Sequence, residues 1–191
     1  MALPTRPAQG FTRTKLLVVI VVIAVLAVPY VTGILARNQM QARMNDARQI
    51  YLAAFSLAND TPGDLKAAGR IANLSDYVTL LVRGGCLNVG DLKAFSGPGY
   101  KPYKGTLSNG ALVPPFTEEN CAYKVYLAKK DDTANTVFLE SKNGDKGFII
   151  CRKGGDAGIY KTAASAHTFP HPGGGTVESA ENCLNPGPAA P

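Results

Sequence analysis

The chain has 191 residues, a net charge of +6 and a hydrophobic share of 46%. This length accommodates one modest globular domain beside any membrane segment and excludes a second full domain, because domains typically run to about 100–150 residues. Arg6, Arg13 and Lys15 precede a long apolar run, which leaves seventeen basic and fourteen acidic residues after it, a charge of only +3. We therefore predict no nucleic-acid partner, because such a small excess does not favour binding to phosphates.

The apolar run comprises the twenty-one residues 16–36, none of which is charged. As a helix it would extend for about 31 Å at 1.5 Å per residue, which is enough to cross the hydrocarbon core of a bilayer. A buried core helix is the alternative, but too little chain remains to surround a helix that is apolar on every side. The run therefore predicts a single transmembrane helix.

The orientation of this helix follows from the charges beside it. Basic residues precede it and no acidic residue occurs before Asp46, so the positive-inside rule predicts a cytoplasmic N-terminus. The four cysteines agree with export of the rest of the chain to an oxidising space. A secretory signal peptide cleaved after residues 25–27, Val-Leu-Ala, is the chief alternative. Against it, the apolar run continues past that site and a strongly helical segment follows.

A short motif lies before the apolar run. Gly10-Phe11-Thr12, followed by residues 16–20, Leu-Leu-Val-Val-Ile, resembles the prepilin cleavage and methylation signature of type IV pilin-like proteins and type II secretion pseudopilins. The resemblance implies that a prepilin peptidase cuts between Gly10 and Phe11 and methylates the new N-terminal amine. The cut would lie on the basic, cytoplasmic side, so the membrane helix would stay with the mature protein.

Two later segments, 46–60 and 76–95, are also similar to bacterial pseudopilins, so the resemblance covers roughly the first half of the chain. It implies a structural subunit of a homo- or hetero-filament, whose partners are the peptidase, other pilin-like subunits and the inner membrane. The expected location is the bacterial inner membrane in a single pass, with the head periplasmic or extracellular. Secretion pseudopilus, adhesive pilus and competence pilus all stay open. The alternative is a singly anchored or secreted periplasmic binding module.

Two residues depart from the family pattern. Lys15 stands where the family usually has a glutamate, whose carboxylate is thought to pair with the N-terminal amine of a neighbouring subunit. Pro29, a helix-kinking residue, lies about one turn earlier than the family's usual proline. The reversed charge at Lys15 leads us to expect a minor subunit that assembles beside partners with a compensating carboxylate.

The chain divides into five predicted segments: a leader at 1–10, the transmembrane helix at 11–36, its amphipathic exported half at 37–60, a globular head at 61–165 and a Pro/Gly-rich tail at 166–191. We expect the tail not to pack. The spacing of apolar residues predicts that the exported half-helix faces the head with Met40, Met44, Ala47, Tyr51, Ala54 and Ala58. The predicted fold is α+β and pilin-like, with the long helix packed on a small antiparallel β-meander.

Local patterns predict the elements of the head. Ser75 or Asp76 can cap a short helix that ends at Arg83 before two glycines, and a further helical turn is expected at 91–95. Alternating apolar residues predict strands at 123–127, 136–139, 147–151 and 158–161. Asn143-Gly144 predicts a hairpin turn between the second and the third of these strands.

The four cysteines are far apart in sequence, unlike those of a zinc ribbon or a redox Cys-x-x-Cys motif. Disulfide bonds are therefore the preferred interpretation for an exported domain. Of the three pairings that four cysteines allow, we prefer Cys86 with Cys121 and Cys151 with Cys183.

Other candidate sites are weak. Residues 131–135, Asp-Asp-Thr-Ala-Asn, could supply oxygen ligands to calcium, but such residues are also good turn formers. His167 and His171 flank a proline and cannot share a helix face as zinc ligands would. Ser165 and His167 are close in sequence without any nucleophile motif around them. We predict no enzymatic activity, no cofactor and no metal site.

Overall fold

The computed structural model describes residues 13–60, 71–128, 131–143, 147–162, 165, 168–172 and 183–185. Its helices are α1 (Arg13–Asp60) and α2 (Leu74–Arg83), with 3₁₀ helices at Val89–Phe95 and Glu118–Asn120. Its strands are β1 (Thr106–Ser108), β2 (Ala111–Val113), β3 (Tyr123–Val125), β4 (Val137–Ser141), β5 (Phe148–Arg152) and β6 (Ala157–Tyr160). The leader at 1–10 and the proposed cleavage residues Gly10 and Phe11 lie outside the described residues. The α+β class is confirmed.

The chain forms two compact units, residues 1–39 and residues 40–191. Helix α1 contributes residues to both. The division lies three residues after the end of the predicted transmembrane segment at 36. From here on, the head means this second unit, residues 40–191, which is larger than the predicted head at 61–165.

Within the head, α1 buries one stripe of its surface. Its most buried apolar residues follow helical spacing and are Met40, Ala47, Ile50, Ala53 and Leu57. The predicted stripe is therefore correct at its start but turned by about one residue towards its end, because Tyr51 and Ala54 are only half-buried and Ala58 is exposed. The reason lies in what covers the helix. The Phe138 ring of the sheet lies 5.9 Å from the Tyr51 ring, and the C-terminal end of α2 packs beside Leu57.

The observed N-cap of helix α2 lies two residues before Ser75, the earlier of its predicted caps. The cap is Asn73, whose side-chain oxygen accepts a hydrogen bond of 2.9 Å from the amide of Asp76. The Asp76 carboxylate in turn accepts one of 3.1 Å from the amide of Ala72. The predicted end at Arg83 is confirmed. The glycine pair stops the helix because Gly85 adopts a φ of +71°, which side chains disfavour.

The principal sheet has four antiparallel strands in the order β3-β4-β5-β6. The four strands predicted from sequence are thus confirmed as a meander, with ends that differ by up to two residues. One face, with Val125, Leu139 and Ile149, joins the core that α1 and α2 also form. The opposite face, with Tyr126 and Ile150, packs in a second, smaller cluster.

A small hairpin, β1–β2, was not predicted. Its turn is Asn109-Gly110, and both residues have positive φ, at 50° and 76°. Asn-Gly in that conformation is the favoured two-residue hairpin turn. The same dipeptide rule that predicted the Asn143-Gly144 turn would therefore have located this hairpin as well.

Two pieces of the C-terminal region pack on the sheet, so the prediction that the tail does not pack is wrong for them. The amide of Val137 donates a hydrogen bond of 2.9 Å to the carbonyl of Pro170. His171 is 2% exposed, and its ring lies 4.8 Å from that of Tyr126. Asn185 is fully buried. These contacts join residues far apart in sequence, and a Gly/Pro-rich composition gives no sign of them.

Candidate functional site in the N-terminal helix

The first unit presents a long apolar surface. The described part of the chain contains one helix that is long and apolar enough to cross a membrane, and its most apolar window has no buried residue. The large apolar side chains between Leu16 and Leu35 are 41–73% exposed within the protein. Contiguous apolar surface of this extent is rare in soluble monomers and marks contact with lipid or with other chains.

The N-terminal end of this surface is positively charged. Arg13 and Lys15 are both exposed, and the first turn of the described helix contains no acidic residue. Lys15 therefore has a second positive charge, that of Arg13, beside it and no acidic residue near it in the described helix. Pro29 lies inside α1, and the helix continues through it.

Two large apolar side chains stay exposed in the part of α1 that belongs to the head. Leu52 is 61% exposed and Phe55 is 52% exposed, although Ala53 and Leu57 beside them are buried. The helix therefore packs in the head with one side and presents large apolar groups on the other.

A polar contact fixes α1 to strand β3. The Tyr123 hydroxyl donates a hydrogen bond of 2.9 Å to the carbonyl of Arg43, and the Arg43 guanidinium lies 5.9 Å from the Tyr123 ring centre. Burial raises the pKa of the nearby Asp46 carboxyl, and the charges of Arg43 and Lys93 partly oppose that rise. Arg43 and Asp46 are one turn apart on α1. This turn therefore contacts the head through the backbone carbonyl of Arg43 and through its side chains.

No disulfide bond joins any of the four cysteines in the structure. For one pair the strand order explains why. Cys183 lies beside Tyr126, next to β3, whereas Cys151 lies in β5, beyond β4. Three strand spacings of about 4.8 Å separate them by roughly 14 Å. A disulfide needs Cα atoms about 4.4–6.8 Å apart. The Cys151–Cys183 pairing is therefore incompatible with the sheet, and Cys86 and Cys121 are likewise not bridged.

Burial also disfavours the thiolate form of two of the cysteines. It raises the pKa of Cys121 to about 11 and that of Cys151 to about 12, so both are protonated at neutral pH, and the thiolate is the reactive form. We expect iodoacetamide at pH 7.5 to modify Cys121 and Cys151 in the native protein at least about tenfold more slowly than the half-buried Cys86. Peptide mass spectrometry measures each site. Equal rates at all of these positions before denaturation would contradict this expectation.

Basic side chains contact oxygen atoms of the loop 131–135, the segment considered above as a calcium site. The Lys153 ammonium donates a hydrogen bond of 2.6 Å to the carbonyl of Asp132, and Arg152 donates one of 3.1 Å to the Asn135 side chain. Among the described residues, no group of three His, Cys, Asp or Glu side chains could hold a metal ion. The loop is thus held to the head by cationic side chains.

The remaining candidates do not form a catalytic group in the described chain. His167 lies outside the described residues. The Ser165 hydroxyl donates a hydrogen bond of 2.8 Å to the carbonyl of Thr162, as a turn-forming serine does. His171 is buried with its Nε2 3.8 Å from a Glu140 carboxylate oxygen, which makes it part of the packing of the sheet's outer face.

The head has a surface cleft of about 530 Å³ beside Tyr100. Its four charged side chains pair with one another: Lys101 with Glu119 at 2.8 Å and Lys142 with Glu118 at 3.6 Å. A site for a charged ligand would instead present charges of one sign. The exposed surface of α1 is therefore the stronger candidate for function.

No protein-family model matches the chain, and no curated protein or solved structure does either. The function has to be inferred from the residues and contacts of the chain itself.

Proposed function

We propose that this chain is a structural subunit of a type IV pilin-like or type II secretion pseudopilus filament. A prepilin peptidase removes residues 1–10 by cutting after Gly10, and α1 then anchors the protein in the bacterial inner membrane with its N-terminus in the cytoplasm. The head lies on the periplasmic side or at the filament surface. Other pilin-like subunits are its assembly partners.

The main support for the proposal is that the two parts of α1 differ: the N-terminal part is exposed and apolar, and the C-terminal part packs in the head. One helix, Arg13–Asp60, has exposed large apolar side chains between Leu16 and Leu35, and its C-terminal part supplies a buried stripe to the head. An anchor for a freely acting domain needs no helical continuity with the core of that domain. A filament subunit does, because packing forces between neighbouring helices must reach its head.

Leu52 and Phe55 support the same proposal. They are exposed apolar side chains of the head unit, they lie beyond the residues 16–36 that a bilayer would cover, and a mostly polar exposed stretch separates them from that run. In a bundle of such helices they would be buried by neighbouring subunits, each with a gain of about 1.5–3 kcal/mol on full burial. These contacts would help to offset the loss of lipid contacts when a subunit leaves the membrane.

The binding-module alternative has one structural observation in its favour, the cleft beside Tyr100. Its charges are paired internally, and it leaves the exposed apolar side chains of the head unit of α1 without a role. The filament proposal accounts for both halves of α1.

The mature N-terminus tests the proposal. Intact-protein and peptide mass spectrometry of the chain, purified from the membranes of a cell that has a prepilin peptidase, should find Phe11 as the first residue, carrying an N-methyl group. An N-terminus at Val28 would indicate a secretory signal peptide, and an intact Met1 would indicate an uncleaved anchor. Either result would refute the filament proposal.

A further inference from the structure

Strand β3 lies at one edge of the four-stranded sheet. The backbone groups of Lys124 face β4, its neighbour in the sheet, whereas those of Tyr123 and Val125 face outwards. Outward N–H and C=O groups of an edge strand can pair with a strand of another chain, which leads to uncontrolled association. A subunit that must associate through a helix therefore needs this edge closed.

The segment Cys183–Asn185 closes it. Cys183 forms an antiparallel bridge with Tyr126, and the amide of Leu184 donates a hydrogen bond of 2.8 Å to the carbonyl of Val125. The segment thus lies along β3 as a fifth, very short strand would. In the sequence it is followed at once by Pro186, which has no N–H with which to extend pairing.

The Asn185 side chain occupies the place of a peptide group. Its oxygen accepts a hydrogen bond of 2.9 Å from the amide of Val125, and its nitrogen donates one of 2.8 Å to the carbonyl of Tyr123. The residue is fully buried. A side-chain amide satisfies one donor and one acceptor of the edge, but it offers no continuing backbone on which a further strand could grow.

We propose that Cys183–Asn185 is an intramolecular edge guard, which keeps β3 from pairing with a strand of a second copy and so leaves self-association to α1. The proposal rests on the proposed filament function for its purpose, but its contacts belong to the head alone. Asn185 is the positioning residue of the guard, because its amide meets two of the three outward groups that the segment covers.

Asn185→Ala in the full-length chain, purified in detergent, tests the proposal by hydrogen exchange and by light scattering on a sizing column. At low protein concentration the amides of Val125 and Leu184 should exchange roughly tenfold faster or more than in the unmodified chain, because each loses a bond or its support. With increasing concentration, the variant should form larger particles than the unmodified chain in the same detergent. Asn143→Ala, which removes an exposed asparagine bonded to the Pro98 carbonyl at 3.3 Å, is the matched control and should change neither measurement.

Two results would overturn the proposal: a Val125 amide that stays protected in Asn185→Ala, or an opened edge with no increase in particle mass. Exchange at the amides of β4 and β5 reports whether the head is still folded. If it is not, Asn185→Leu fills a similar volume and lacks both the acceptor for the Val125 amide and the donor to the Tyr123 carbonyl, and the same two outcomes apply to it. Neither measurement depends on cleavage after Gly10, so failure here and failure of the filament proposal are distinguishable.

Discussion

Gly10→Val is expected to leave the chain in the membrane as full-length precursor. The proposed cut follows Gly10, and a peptidase site that must admit the backbone closely accepts a residue without a side chain and excludes a branched one. The measurement is the ratio of precursor to mature protein by intact mass in membranes that contain a prepilin peptidase. We expect that ratio to rise by about two orders of magnitude, as a loss of roughly 3 kcal/mol in transition-state binding would produce.

Two further variants make this result specific. Ala8→Val adds a branched side chain of the same size two residues earlier and should be processed normally. Gly10→Ala adds only a methyl group and should be processed at an intermediate rate. Normal maturation of Gly10→Val would remove the main support for a prepilin leader, because the remaining features of the N-terminus are shared with other membrane anchors.

The parts of the fold that the sequence predicts correctly are those with a strong local period. The twenty-one uncharged residues at 16–36 predict an apolar helix. The strands around Tyr123, Phe138 and Ile149 are marked by aromatic and branched residues. In both cases the signal lies within a few consecutive residues, so it is visible before any tertiary contact is known.

The errors concern contacts between distant residues. The buried stripe of α1 includes Ile50 where Tyr51 was predicted, because both the sheet and the end of α2 contact the helix. The spacing of apolar residues along the helix does not show which elements will contact it. His171 packs against Tyr126 and Asn185 bonds to Val125, residues that precede them by 45 and 60 positions. The Gly/Pro-rich composition applies to the residues beside these contacts, and it does not predict the contacts themselves.

The pairing of the cysteines likewise depends on contacts between distant residues. Their spacing excludes a zinc ribbon, but a disulfide pairing requires the strand order, and that order puts Cys151 and Cys183 about three strands apart. That α1 is long and apolar enough to cross a membrane could be inferred from sequence, since this depends only on length and composition. The guard at Asn185 could not, because one asparagine between Leu184 and Pro186 carries no local signal.

Lys15→Glu is expected to increase self-association through α1 while membrane insertion stays unchanged. In a homopolymer the Lys15 ammonium would face the N-terminal ammonium of a neighbour, and two like charges about 4 Å apart repel by about 4 kcal/mol at an effective dielectric of about 20. The exposed Arg13 adds a positive charge beside Lys15, and no acidic residue in the first described turn offsets these charges. In a lone subunit Lys15 can reach the cytoplasmic headgroups, so the repulsion acts on assembly and leaves insertion intact.

The comparison that isolates this effect uses three variants in the same membranes. Cross-linking between α1 helices should rise in the order unmodified chain, Lys15→Gln, Lys15→Glu, because the first change removes a repulsion and the second adds an attraction. Arg13→Gln removes a neighbouring positive charge and should have a smaller effect, since under the filament proposal it is Lys15 that would face the neighbour's amine. The fraction resistant to alkaline extraction should be equal in all. A minor subunit that needs a partner's carboxylate would behave in this way, whereas long filaments of the unmodified protein alone, weakened by Lys15→Glu, would contradict it.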